Sequence, residues 1–331
     1  MRDQYVSGAT NEIRPRKPRI MSTSLKSICR KIIAVGRNYA EHAKELGNKV
    51  GNSPVIFMKP SSCIIEEGEN IKVPNGTTEV HHEVELGFVI GKRLTNVKPN
   101  EVSSSVMGYV VALDLTDRLL QNELKSKQLP WTLAKCFDTA CPVGPILPMT
   151  SLPINILKLR QEFQTVNNEI WLKVNHSERQ RSKLNMMIWT PADLISMISQ
   201  RISLEYGDLV LTGTPAGVGP LKIGDEVEIG LDNLCCNNVN ELKEYLSKNY
   251  RSRQKLCVHI LAILNKSSHR EHAKELGNKV GNSPVIFMKP SSCIIEEGEN
   301  IKVPNGTTEV HHEVELGFVI GKRLTNVKPN E

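Results

Sequence analysis

Short runs of aliphatic and β-branched residues recur along this chain, and glycine or proline closes most of them. Residues 32–35 end at Gly36, residues 55–58 end at Lys59-Pro60, and residues 209–212 end at Gly213. Runs of this length between turn residues predict buried strands. Because these strands do not alternate with long helices, the pattern predicts an α+β fold that is mainly β.

Two segments carry helix signals. Residues 40–46 are good helix formers followed by glycine, so His42 and Glu45 should lie about one turn apart on the same helix face. Thr190 is a suitable N-cap, and Asp193 stands three positions later, where it completes a capping box. We therefore expect a few short helices beside the strands. An isolated helical histidine such as His42 is more often a surface residue than a catalytic base.

Residues 81–90 have the pattern with the clearest chemical content. In a strand, alternate side chains point to opposite faces, so Glu83 and Glu85 should project from the same side of an otherwise apolar segment. Asp114 lies in a second apolar run, residues 109–116. Three carboxylates from neighbouring strands form an all-oxygen ligand set, which suits Mg²⁺ or Mn²⁺. The structural alternative is that Glu83 and Glu85 line a solvated strand face.

Other signals are weaker. Adjacent His81 and His82 suggest zinc, but neighbouring strand residues face opposite ways and do not easily bind one ion. The glycine-rich segment 213–219 lacks the lysine and hydroxyl residue that end a Walker phosphate loop. Neither feature defines a site by itself.

A perfect internal repeat dominates the organisation of the chain. Residues 271–331 reproduce residues 41–101 without a substitution, so the 331-residue length counts this segment twice. The copy contains Glu313 and Glu315 but no second Asp114, so it cannot build a metal site alone. We expect the copy either to be a loosely attached passenger or to compete with residues 41–101 for the same place in the sheet.

Composition favours a globular protein, with 39% hydrophobic residues and a net charge of +6. Residues 1–31 are basic and poor in acids, which is typical of a mitochondrial transit segment, although prolines interrupt any early helix. A cytoplasmic location with a solvated N-terminal arm is the alternative.

Nucleic-acid binding is not expected because no aromatic residues lie among these charges. No apolar run reaches the length of a membrane span. The eight cysteines form no Cys-x-x-Cys pair, which favours reduced thiols in an intracellular compartment.

A series of segments resembles the fumarylacetoacetate hydrolase superfamily, and especially its small acylpyruvase and oxaloacetate decarboxylase members. The resemblance runs in family order across residues 32–234. The matching segments are Val35-Gly36-Arg37-Asn38-Tyr39 with His42 and Glu45, Phe57-Met58-Lys59-Pro60-Ser61, His82-Glu83-Val84-Glu85-Leu86-Gly87, Leu113-Asp114-Leu115-Thr116 with Arg118 and Gln121, Leu129-Pro130-Trp131-Thr132-Leu133-Ala134-Lys135, Trp171-Leu172-Lys173-Val174-Asn175 and Leu211-Thr212-Gly213-Thr214-Pro215.

This resemblance implies a mixed β-roll or sandwich with short helices, acting as a homodimer on a small 2-oxo acid. It implies Mg²⁺ or Mn²⁺ bound by Glu83, Glu85 and Asp114. The catalytic residues it implies are His42, Glu45 and Lys135, and the substrate-binding residues are Arg37, Arg118, Gln121 and Thr214. The alternatives are that Lys135 and Arg118 are ordinary surface cations and that Thr214 only shapes a turn.

Two departures from the family pattern concern the fold. Asn175-His176 replaces an Asn-Gly hairpin turn, whose two central positions favour positive φ, so we expect a strained or rebuilt loop. Residues 235–270 look like a divergent polar linker that replaces the last strand of the family. Loss of that strand would leave an exposed sheet edge.

The domain organisation we predict is therefore an N-terminal arm, residues 1–31, a catalytic domain, residues 32–234, a linker, residues 235–270, and the partial duplicate, residues 271–331. The leading function is acylpyruvate hydrolysis with oxaloacetate decarboxylation. An oxaloacetate tautomerase, or a non-catalytic product with a compromised fold, is the alternative.

Overall fold

The structure is a computed structural model that describes residues 21–47, 51–151, 156–157, 159–232, 234–244, 260–264, 285–304, 306–311, 317 and 320. Most of the predicted N-terminal arm and large parts of the predicted linker and duplicate therefore lie outside the described residues.

Strands outnumber helices in this part of the chain, which confirms the mainly β class. The helices are α1 (Leu25–Ile28), α2 (Ala40–Glu45), α3 (Arg118–Ser126), α4 (Thr132–Lys135), α5 (Arg160–Phe163) and α6 (Pro191–Ser199). The strands are β1 (Lys31–Gly36), β2 (Val55–Pro60), β3 (Ile64–Ile65), β4 (Asn70–Val73), β5 (Val80–His82), β6 (Val84–Ile90), β7 (Val106–Leu113), β8 (Thr116–Asp117), β9 (Cys141–Pro142), β10 (Leu147–Pro148), β11 (Glu169–Val174), β12 (Ser177–Lys183), β13 (Leu209–Leu211), β14 (Gly219–Leu221), β15 (Val227–Leu231), β16 (Leu234–Glu244), β17 (Ile260–Leu264) and β18 (Val285–Lys289).

Two sheets pack against each other around the core. A six-stranded sheet has the order β10-β7-β6-β13-β1-β2, and a five-stranded sheet has the order β12-β11-β15-β16-β4. Strand β11 of the second sheet contacts β6 of the first, and β15 contacts β7. Three smaller sheets, β14-β5-β8, β3-β9 and β17-β18, complete the strand pairing of the described residues. This layered arrangement agrees with the expected mixed sandwich.

The apolar run of β1 is continuous because this strand is covered on both faces. Its residues 32–35 are fully buried, and the strand pairs in parallel with β13 on one side and antiparallel with β2 on the other. A strand buried on both faces needs apolar residues at every position rather than at alternate ones. Strand β1 therefore lies inside the six-stranded sheet, next to β2 and separated from β6 by β13.

Both predicted helices are present. Helix α6 begins after Thr190, whose hydroxyl accepts a hydrogen bond from the Asp193 amide, and the reciprocal contact completes the capping box. Helix α2 covers residues 40–45, and its last turn ends against Leu46. None of the helices among the described residues is long and apolar enough to cross a membrane.

The amino-terminal boundary differs from the prediction. The predicted arm extended to residue 31, but Leu25 and Cys29 are buried in the core, and Lys31 forms a buried ion pair with Asp208 at 2.5 Å. Residues 25–31 therefore pack with the domain, since α1 places an apolar face against it.

The expectation of a missing last strand is wrong. Strand β16 occupies residues 234–244, where a linker was expected, and it pairs antiparallel with β15 and in parallel with β4. The prediction failed because backbone hydrogen bonding does not require apolar side chains, and this segment is rich in asparagine. The edge of β15 is therefore covered.

The altered hairpin keeps its turn instead of being rebuilt. Asn175 has φ 49° and His176 has φ 63°, and the flanking residues Val174 and Ser177 remain paired. Both central residues thus adopt the left-handed conformation of a type I′ turn. Asparagine tolerates this conformation well, whereas His176 has no such advantage. The prediction of strain holds for one residue only.

We expect His176→Gly to stabilise the protein by about 1 kcal/mol, because a left-handed non-glycine residue costs about 1–2 kcal/mol and glycine loses some chain entropy. The substitution also removes the contact between His176 Nδ1 and Glu228 Oε1 at 2.5 Å, but this histidine is exposed, so that loss is small. Chemical denaturation measures the change. His176→Ala is the matched control, since it removes the imidazole but keeps the Cβ, and it should give no stabilisation.

Candidate metal centre and active site

The three predicted acids lie together in the structure. Glu83, Glu85 and Asp114 are buried, and one carboxylate oxygen from each lies within 4.8 Å of those of the other two. Glu83 occupies the junction between β5 and β6, where the chain passes from a three-stranded sheet to the six-stranded one. Its carbonyl oxygen accepts a hydrogen bond from the Asp114 amide at 2.9 Å. This backbone contact brings Asp114 opposite the Glu83 side chain, so the solvated-face alternative is wrong.

The acids differ in how their charges are compensated. Burial opposes ionisation of Glu83, but the charges of Lys135 and Arg118 hold its pKa well below the usual range. Burial and the neighbouring carboxylates of Asp114 and Glu83 raise the pKa of Glu85. The Glu85 carboxylate accepts a hydrogen bond from the Gly213 amide at 2.8 Å, and no described cationic side chain forms an ion pair with it. The cluster therefore retains one carboxylate without a direct ion pair, and the more distant charge of Lys135 offsets its raised pKa only in part.

A divalent cation fits this donor set. Three buried carboxylates supply only oxygen ligands, which Mg²⁺ and Mn²⁺ prefer, and no other group of three metal-binding side chains occurs among the described residues. A cation beside Glu85 would offset the negative charges of Asp114 and Glu83, which raise the pKa of Glu85.

Lys135 is part of the acid cluster rather than a surface cation. It is the last residue of α4, and its ammonium donates to Glu83 at 2.9 Å, Asp114 at 2.6 Å and Thr116 Oγ1 at 2.7 Å. All three of its hydrogens therefore have acceptors. A buried cation with this pairing is positioned to hold negative charge in the site.

Lys59 is a site residue that the sequence pattern did not reveal. It is fully buried at the end of β2, and its ammonium donates to Asp114 Oδ1 at 2.7 Å, to the Leu115 carbonyl at 3.3 Å and to the Lys135 carbonyl. Burial disfavours its charged form, but Asp114 and nearby thiols raise the pKa of Lys59 overall. Lys59 belongs to one of the segments that resemble the family. In the strand pattern, however, Lys59 and Pro60 only mark the end of an apolar run.

Arg118 connects the acid cluster to Gln121 and His81. It is buried at the start of α3, and its guanidinium donates to Glu83, to Gln121 Oε1 at 2.6 Å and to His81 Nδ1 at 3.4 Å. Burial and the Arg118 charge lower the pKa of His81, so its Nδ1 can accept while Nε2 donates to Glu79 at 2.6 Å. The surface alternative for Arg118 is therefore wrong as well.

His42 and Glu45 form the predicted pair on α2. His42 is buried, and its Nδ1 lies 3.2 Å from Glu45 Oε2. The Glu45 carboxylate also accepts from the Gly217 amide at 3.1 Å and 3.3 Å, which fastens this short helix to the glycine-rich loop. With Nδ1 directed to Glu45, Nε2 is the ring nitrogen available to the cavity.

Gln180 is a second residue of the site that the sequence pattern does not reveal, and it supports the loop that carries Thr214. It is the buried residue of an otherwise exposed β12, and its amide nitrogen donates to Thr214 Oγ1 at 2.8 Å and to the Pro215 carbonyl at 2.9 Å. Its oxygen accepts from the Val84 amide at 3.1 Å. Gln180 therefore fixes the Thr214 loop against the strand that carries the acids. The single buried polar position in a polar strand left no local signal.

Gly213 allows the loop to approach the segment that leads from β1 into helix α2. Its φ is 93°, and a Cβ there would lie 2.8 Å from the Asn38 Cβ. The Asn38 amide in turn donates to the Thr212 carbonyl at 2.7 Å. A larger residue at Gly213 would separate Thr214 from the acids.

All the predicted site residues line a single cavity of about 310 Å³. They are Arg37, His42, Glu45, Glu83, Glu85, Asp114, Arg118, Gln121, Lys135 and Thr214. Their roles remain a prediction, but the structure brings every one of them to the same space. That volume accommodates a small molecule of a few heavy atoms together with a metal ion.

The chain is similar to enzymes of oxo acid metabolism. It is 42% identical over 207 residues to a mitochondrial oxaloacetate decarboxylase of Dictyostelium discoideum, a match that covers 62% of this chain and 90% of the relative. It is 44% identical over 203 residues to the human mitochondrial oxaloacetate tautomerase, covering 61% and 87% of the two chains. A fumarylpyruvate hydrolase from Pseudomonas aeruginosa, crystallised with Mn²⁺ and pyruvate, superposes with a TM-score of 0.59 at 32% identity and covers 71% of this chain and all of its own.

The model of the fumarylacetoacetate hydrolase C-terminal family matches residues 31–240 and again residues 261–331. The first match spans the cavity and every acid of the cluster, and the second spans the duplicated segment. On this match and on the shared fold, the chain belongs to the fumarylacetoacetate hydrolase family.

Proposed function

We propose that this protein is a metal-dependent enzyme that cleaves a carbon–carbon bond in small 2-oxo acids, hydrolysing acylpyruvates and decarboxylating oxaloacetate. The observation that carries this proposal is the single cavity in which a buried three-carboxylate cluster faces the His42–Glu45 pair. The names of the relatives and the pyruvate in the structure of the Pseudomonas enzyme support the same substrate class.

Glu83, Glu85 and Asp114 would hold Mg²⁺ or Mn²⁺. When bound, either ion supplies Lewis-acid stabilisation of the negative charge that develops on the keto oxygen as the bond breaks. The Mn²⁺ in the Pseudomonas enzyme supports a hard divalent cation without deciding between the two.

The protein's own cations and amides would bind the substrate. Arg118 and Gln121 are hydrogen-bonded to each other, so the guanidinium is held in a fixed orientation toward the cavity. A guanidinium presents paired N–H groups that match a carboxylate. Arg37 and Thr214 line the same cavity and would contact the other end of the oxo acid. Lys135 would stabilise negative charge beside the acids.

The His42–Glu45 pair would serve hydrolysis. His42 would take a proton from water as its oxygen attacks the distal carbonyl, while Glu45 holds the imidazolium through Nδ1. Cleavage then releases a carboxylic acid and the enolate of pyruvate, which becomes pyruvate on protonation at carbon. Oxaloacetate instead loses carbon dioxide to give the same enolate, so no attacking water is required.

Oxaloacetate tautomerisation is the second candidate, because several relatives at about the same identity carry that name. It requires proton transfer at carbon but neither carbon–carbon bond cleavage nor water attack. The non-catalytic alternative lost its two structural grounds, since the hairpin keeps its turn and β16 covers the sheet edge.

The mitochondrial location expected from the basic leader agrees with the names of the Dictyostelium, mouse, human and Arabidopsis relatives. The homodimer implied by the family resemblance stays a prediction.

We expect 5 mM MgCl₂ or MnCl₂ to raise the thermal midpoint of the wild-type protein, with a shift that grows with ion concentration as about RT ln(1 + [L]/Kd). Glu85→Gln should abolish the shift. Without metal, this variant should be at least as stable as wild type at about pH 8, because it removes a buried carboxylate whose pKa is raised by Asp114 and Glu83. Glu123→Gln, an exposed change on α3, should leave the shift intact. A shift that survives Glu85→Gln would place the ion elsewhere.

We expect His42→Ala to reduce Mg²⁺-dependent hydrolysis of acetylpyruvate by about 10²–10⁴-fold, the usual contribution of a general base. Decarboxylation of oxaloacetate should change by less than about tenfold, because it needs no attacking water. Pyruvate release measures both reactions, and the loss of enol absorbance measures tautomerisation separately. Equal losses in both cleavage reactions would refute the assigned role of His42. Folded wild-type protein that only tautomerises oxaloacetate would favour the second candidate.

We expect Lys59→Met to destabilise the protein by about 3–5 kcal/mol, since it leaves Asp114 with one less buried partner. Chemical denaturation measures this change. Lys127→Met is the matched control because the Lys127–Glu123 pair is exposed, and its loss should cost about 1 kcal/mol or less. If both variants lost the same stability, the buried network would not be what fixes Asp114.

A further inference from the structure

The two copies of the repeated segment share their local conformation. Residues 61–63 and 291–293 form the same 3₁₀ turn, and the amides of Glu69 and Glu299 close the same turn four residues long. Gly68 and Gly298 have φ values of 89° and 88°. Strand β18 repeats the sequence of β2. The copy is thus already shaped like the first segment where its residues are described.

The copies differ sharply in burial. Ile71 is fully buried, whereas its copy Ile301 is 76% exposed. Cys63 is fully buried, whereas its copy Cys293 is exposed. The same contrast holds for Ile294, Ile295 and Val310, whose counterparts in the first segment are buried, and Val303 is exposed where Val73 is half-buried. The copy therefore displays an apolar face whose complementary surface is known, because that surface covers the first segment.

Every strand that pairs with the first segment lies outside the repeat. Strands β2 to β6 pair with β1, β9, β16, β14, β8, β13 and β7, all of which fall before residue 41 or after residue 101. The hydrogen-bond partners of Lys59, Glu83 and Glu85 also lie outside the repeat. They are the Asp114 carboxylate, the Arg118 guanidinium and the backbone amide of Gly213. The receiving surface therefore cannot distinguish the two copies by sequence.

The copy also lies next to that surface. Phe287 and Met288 of β18 line a groove with residues 55–58 of β2, and Arg201 donates to Thr307 Oγ1 at 2.7 Å. The 26 residues 245–270 separate β16 from the start of the copy, and they include β17, which pairs with β18 of the copy. The 15 residues between β16 and β17 would reach about 50 Å when extended, which is comparable with the width of a domain of this size.

We propose that residues 271–331 exchange with residues 41–101 for the same position in the fold of one chain. The contacts at the receiving surface are the same in both arrangements, so their free-energy difference comes from two other sources. One is the set of contacts that the copy makes outside that surface, namely the pairing of β18 with β17 and the Arg201–Thr307 hydrogen bond. The other is chain connection, whose cost grows only with the logarithm of the loop length that each arrangement closes. By sequence, Glu313 and Glu315 correspond to Glu83 and Glu85, so the exchanged arrangement keeps the acidic residues.

The first test uses paired substitutions in the full chain. Ile71→Asp disrupts only the arrangement with residues 41–101 in place, and Ile301→Asp disrupts only the exchanged one. We expect Ile301→Asp to leave the thermal midpoint unchanged and Ile71→Asp to lower it modestly. The double variant should melt about 10 °C or more below Ile71→Asp, because neither copy then fits. If Ile71→Asp alone fails to fold, or melts together with the double variant, the exchange does not occur.

The second test follows two thiols. Cys293→Ala leaves Cys63 as the reporter of the first copy, and Cys63→Ala leaves Cys293 as the reporter of the second. In each background, maleimide labelling of the reporter peptide is measured with and without Ile71→Asp.

We expect Ile71→Asp to speed labelling of Cys63 and to slow labelling of Cys293 by about tenfold or more. Simple destabilisation would expose Cys63 but could not protect Cys293, so unchanged Cys293 labelling would overturn the proposal. Protection that appears only with a doubled mass in light scattering would show exchange between two chains and would overturn the single-chain form.

Discussion

The structure depends on charge compensation around two buried carboxylates. Asp114 is held by Lys59 and Lys135, and Glu83 is held by Lys135 and Arg118. An uncompensated buried charge costs about several kcal/mol. Each carboxylate is therefore stable in the interior only when its cationic partners are in place, and each cation only when its carboxylates are. The partners come from β2, α3 and α4, and α4 also packs against both β2 and α3. This network therefore fixes the relative positions of the site elements, and it leaves Glu85 as the acid that favours an added cation.

Local patterns predicted the parts of the fold that depend on local chemistry. The apolar run of β1, the capped start of α6 and the common face of Glu83 and Glu85 all follow from periodicity and capping. Periodicity cannot show which distant residues meet. Lys59 meets Asp114 across 55 positions and Gln180 meets Val84 across 96, so neither could be identified from the strand pattern. The resemblance supplied Arg118 and Lys135, whose burial the pattern alone left open.

Two segments, the hairpin at His176 and strand β16, show where tertiary pairing overrides local preference. The turn at His176 is retained because β11 pairs with β15 along five residues and with β12 on its other side. The register fixed by these ladders outweighs the strain of a single left-handed residue, which is about 1–2 kcal/mol. Strand β16 forms for a related reason, since β15 and β4 both offer it backbone partners. A polar segment such as residues 234–244 can therefore form a strand when neighbouring strands have unpaired backbone groups, although its composition is typical of a linker.

The repeated segment separates what a sequence determines alone from what it determines only in context. Its turns recur in both copies because glycines and short hydrogen bonds set them locally. Strands β3 and β4, by contrast, have no counterpart among the described residues of the copy, because each needs a partner strand outside the segment. The same holds for chemistry. Glu83 becomes part of a site through Lys135, Arg118 and Asp114, so an identical glutamate acquires that function only where those three residues surround it.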